Sequence, residues 1–101
     1  DEAWKEYGPY LMATYKYYWK AGSPDYHGVR SEEDVAREAL TEGRLIIGDP
    51  EQCVSQFHSW QNATGCSNYL LRLRHAHAGG PGHKEVMAAI RRFGRDVIPY
   101  L

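Results

Sequence analysis

Cysteine is scarce in this chain. Cys53 and Cys66 are its two cysteines, too few and too separated for a disulfide scaffold, so both are expected as reduced thiols. Long apolar runs are missing as well. None approaches the ~20 residues that a membrane-spanning helix needs, which argues against a membrane partner. Charge of one sign is also lacking: 12 basic residues stand against 13 acidic, a net charge of -1. Such a balance offers no field for general attraction to nucleic acid or to a lipid surface. The opening Asp1-Glu2-Ala3-Trp4 is acidic and has none of the basic-then-apolar order of a secretion signal, so a cytoplasmic location is expected. On that expectation Asn62-Ala63-Thr64 matches a glycosylation sequon by accident.

What is present is ordinary in amount and uneven in place. A length of 101 residues is one domain's worth, and 43% hydrophobic with 25% charged residues is normal for a globular chain. Most of the tyrosines and tryptophans fall before His27. A helix so rich in aromatics must cover something large.

Along the chain, periodicity predicts a helix from about Pro9 to Ala21, with Leu11, Tyr15 and Tyr18 on one face and Gly22 and Pro24 as the stop. Trp4 and Tyr7 extend it upstream only if Gly8-Pro9 does not bend or restart the element. Ser23 to Gly28 reads as a loop. Ser31 opens a second helix whose apolar side is Val35, Ala36, Ala39 and Leu40, with Gly43 as its end. Leu45-Ile46-Ile47 is a continuous apolar run of the kind found in strands buried on both faces. Asp49 as cap, Pro50 in the first turn and Gln52 three places on form a strong helix start, and Val54, Phe57 and Trp60 or Gln61 carry its stripe to Thr64-Gly65. Tyr69 to Leu73 is a second strand candidate. After the Gly-rich stretch His75–Gly82, a last helix begins near His83 or Lys84, buries Val86, Ala89, Ile90, Phe93 and Val97, and stops at Pro99. Arg91, Arg92 and Arg95 then form a solvated face.

This order predicts an α/β fold with one βαβ unit: residues 1–43 helical, and residues 44–101 running strand, helix, strand, helix. Two parallel strands cannot cover their own faces and edges. The pattern therefore expects either a larger protein around it or a homo-oligomer.

Residues Leu45 to Gln52, with Gly43 before them, Thr64-Gly65 and Leu70-Leu71-Arg72-Leu73 after them, and the ending Phe93-Gly94-Arg95-Asp96-Val97-Ile98-Pro99, resemble the closing portion of luciferase-like flavin-dependent monooxygenases. The resemblance covers most of the chain and is firmest from Arg44 to Leu101. It implies that this chain is the helix-rich C-terminal part of a (β/α)8 barrel, a fold of ~250 residues with its site on the loops after the strands. It also implies reduced flavin, as FMN or the deazaflavin F420, with O2 and a small organic substrate. The earlier strands and the mid-chain phosphate-binding segment have no counterpart here. No flavin-binding residue carries over, and the chain alone is expected to bind no cofactor and to be inactive.

The residues that would sit on the rim of such a site are Arg74, His75 and His77, with Arg72 and His83 close by in sequence. His75 or His77 would contact flavin or substrate and Arg74 would hold an anion. Equally, they form a solvated polar rim, since position supplies opportunity and not role. His75-Ala76-His77 with His83 also invites a metal reading, yet no fourth ligand accompanies them, so no metal is expected. Gly79 to Gly82 before a helix offers amides to a phosphate but lacks the spacing and lysine of a P-loop. The competing functional reading is a small, dimeric, non-catalytic helical module for binding or assembly.

Overall fold

The computed structural model describes residues 2–23, 30–35, 45–74 and 80–101. Among them the regular structure is helical: α1 (Glu2–Lys20), α2 (Pro50–Thr64) and α3 (His83–Asp96), with 3-10 turns at Glu32–Asp34 and Ile98–Tyr100.

Helix α1 is longer than its periodicity predicts and passes through Pro9 without a break. The proline removes one amide donor, a loss a helix survives when neighbouring contacts hold it. Here the indole of Trp4 lies against Gly8 so closely that a Cβ there would stand 2.8 Å from its ring. That contact needs glycine and spans the turn that Pro9 weakens. Near its other end, Met12, Tyr15, Tyr18 and Trp19 pack on Val35, which is 2% exposed. Lys16 and Lys20, one turn apart, both reach Glu32, at 3.3 and 3.4 Å. These contacts fasten the 3-10 turn to α1. Of the expected second helix, the described residues show this turn. Its remaining stripe, Ala36, Ala39 and Leu40, lies outside the described residues.

Helix α2 starts as its sequence dictates. The Asp49 carboxylate accepts the Gln52 amide at 2.9 Å, and the Gln52 side chain accepts the Asp49 amide at 2.9 Å. Two amide donors at the helix start are thereby satisfied reciprocally. Gly65, at φ 69°, ends the helix in the left-handed conformation that costs glycine nothing. Phe57 is 1% exposed and meets Tyr69 and Phe93 edge-on, with ring centres 5.2 and 5.7 Å away. This aromatic group joins α2, the segment after it and α3. Val97, buried at the end of α3, is the other apolar side chain almost fully removed from water there. The imidazole of His58 donates through Nε2 to the Tyr100 carbonyl at 3.1 Å and ties the chain's last turn to α2.

The α/β expectation is overturned. Leu45-Ile46-Ile47 and Tyr69 to Leu73 form no strand, and among the described residues there is no βαβ unit and no element of a (β/α)8 barrel. A strand exists only as part of a ladder, and neither segment has one. The Ile47 backbone pairs instead with the Gln56 carboxamide, its amide donating at 3.3 Å and its carbonyl accepting at 3.0 Å. Among the described residues, no backbone hydrogen bond joins Leu70, Leu71, Arg72 or Leu73 to another group. Apolar and β-branched composition makes a segment fit for a sheet, but the sheet is a tertiary event.

Candidate functional site

Between the aromatic side of α1 and the two irregular segments runs an open groove of about 1150 Å³. Tyr7, Tyr10 and Leu11 of α1, Ile46 and Ile47, and Leu71, Leu73 and Phe93 line it. Its polar lining includes the Tyr7 phenol, the guanidiniums of Arg72, Arg74 and Arg92, and the carboxylates of Glu6 and Asp49. Burial lifts the Tyr7 phenol above its ordinary value of 10.0, and the neighbouring Glu6 carboxylate adds to the rise. Tyr7 is therefore a protonated hydroxyl at neutral pH, a donor rather than a base.

The predicted site residues divide. Arg74 is exposed and lines this groove together with Arg72, Gly80 and Pro81. His75 and His77 lie outside the described residues. His83 is exposed and is the first residue of α3, beside Gly82 at the cap position, which has no side chain to bond the free amides. Arg91 is exposed, while Arg92 and Arg95 approach Asp96 at 3.9 and 2.6 Å, so part of the expected basic face is an ion-paired surface. Among the described residues no group of three potential metal ligands comes together, and no helix is long and apolar enough to cross a membrane.

Nucleophilic chemistry has no support at the cysteines. Burial, helped by Asp49, pushes the Cys53 thiol up, and its sulfur bonds the Gly48 carbonyl at 3.6 Å. A raised thiol is a poor nucleophile, since the thiolate is the reactive form. Cys66 is exposed and directs its thiol to the Asn68 carbonyl at 3.3 Å.

Sequence reasoning did not find the groove, nor Gln56, whose carboxamide takes the place of a strand neighbour for Ile47. The only sequence signal was its position one turn after Gln52, which puts both amides near the segment that precedes the helix. The chain matches no protein-family model, no curated protein and no solved structure. Its chemistry must be read from its own residues. An open trough of mainly apolar lining, with both arginine and carboxylate groups in it, has the make-up of a surface that takes up another molecule.

Proposed function

We propose that this chain is the closing segment of a luciferase-like flavin-dependent monooxygenase, and that it contributes to flavin chemistry with O2 only together with further polypeptide. What supports the reading is the conjunction of a sequence likeness and a physical deficit. The likeness runs from Leu45-Ile46-Ile47-Gly48-Asp49-Pro50 to Phe93…Val97-Ile98-Pro99. The deficit is at Leu70 to Leu73, whose backbone has no hydrogen-bond partner among the described residues and whose first leucine is 98% exposed. Apolar side chains on an unpaired backbone belong against another surface. In this role Arg74, which lines the groove, would hold an anionic group of substrate or flavin, and the cofactor would be FMN or F420.

The test is anaerobic titration with reduced FMN and reduced F420, followed by oxygen uptake. It is run on Asp1–Leu101 and on the product of the complete reading frame that encodes it. The reading expects binding and oxygen consumption by the complete product and none by the 101-residue chain. Tight stoichiometric binding by the short chain, or no flavin affinity in the complete product, would overturn it.

A second reading is a non-catalytic helical module for binding or assembly. The described residues favour it in one respect: their regular elements are helices, and they line an open, mainly apolar groove. This reading expects a well-folded chain that captures a partner and leaves flavin fluorescence unchanged.

A further inference from the structure

We draw no further inference here: the strongest candidate, the open groove between α1 and the irregular segments around Ile47 and Leu71, carries guanidiniums and carboxylates together in its lining, and nothing in the structure shows what covers it.

Discussion

Phe57 has the largest side chain among those the described residues almost completely bury, and it touches rings from two other parts of the chain. Truncating it to alanine removes the group that α2, the following segment and α3 share. Phe57→Ala is expected to destabilise the fold by about 3–5 kcal/mol, a large part of what a chain of this size has. Urea unfolding followed by circular dichroism reads the loss, and Phe57→Leu should retain more than half of the stability. Glu32 offers a second residue-scale test. Hydrogen bonds from Lys16 and then Lys20 hold its carboxyl below the ordinary 4.5. A depressed carboxyl stabilises the folded form above its unfolded pKa, and that contribution is lost as pH falls through the folded value. Acidification below the ordinary carboxylate range is therefore expected to loosen the 3-10 turn from α1. Trp19, packed on Val35 beside it, reports the change by fluorescence, and Glu32→Gln should abolish the acid dependence of that signal.

Helix α2 illustrates what is legible at the scale of an element. Its cap, its proline, its reciprocal Gln52 contact and its glycine stop are all local, so the residues fix both ends without help from the rest of the chain. Asp49→Ala is expected to cost about 1 kcal/mol and to fray the first turn of α2, visible as faster amide exchange at Cys53 and Gln52. The start of α3 near His83 and its end before Pro99 were legible for the same reason. Helix α1 was half legible: the stripe of Leu11, Tyr15 and Tyr18 marks it, but its continuation through Pro9 depends on the Trp4 indole lying on Gly8. The two apolar segments were misread. Both have the composition of strands, yet a ladder needs a second strand in the right place, and Ile47 finds the Gln56 carboxamide instead. Arg74, expected on a barrel rim, is exposed and lines a groove that α1 also lines, which sequence order alone did not indicate.

At the scale of the whole molecule the described residues are held by two separate apolar contacts, Val35 against the aromatic side of α1 and Phe57 among Tyr69, α2 and α3. The amino-acid sequence by itself determined the helix boundaries at Asp49, Gly65 and His83 and the apolar alternation of Tyr69 to Leu73. Those properties arise within a turn or two of backbone, where capping, steric preference and side-chain period act directly. Only the tertiary structure decided that Ile47 pairs with a side chain, that α1 runs unbroken past Pro9, and that a groove opens against Leu71 and Phe93. The groove joins residues far apart in the chain, while Ile47 and Gln56 stand nine residues apart and Trp4 meets Gly8 within one turn; in each case the free energy depends on which groups are present to be paired or buried.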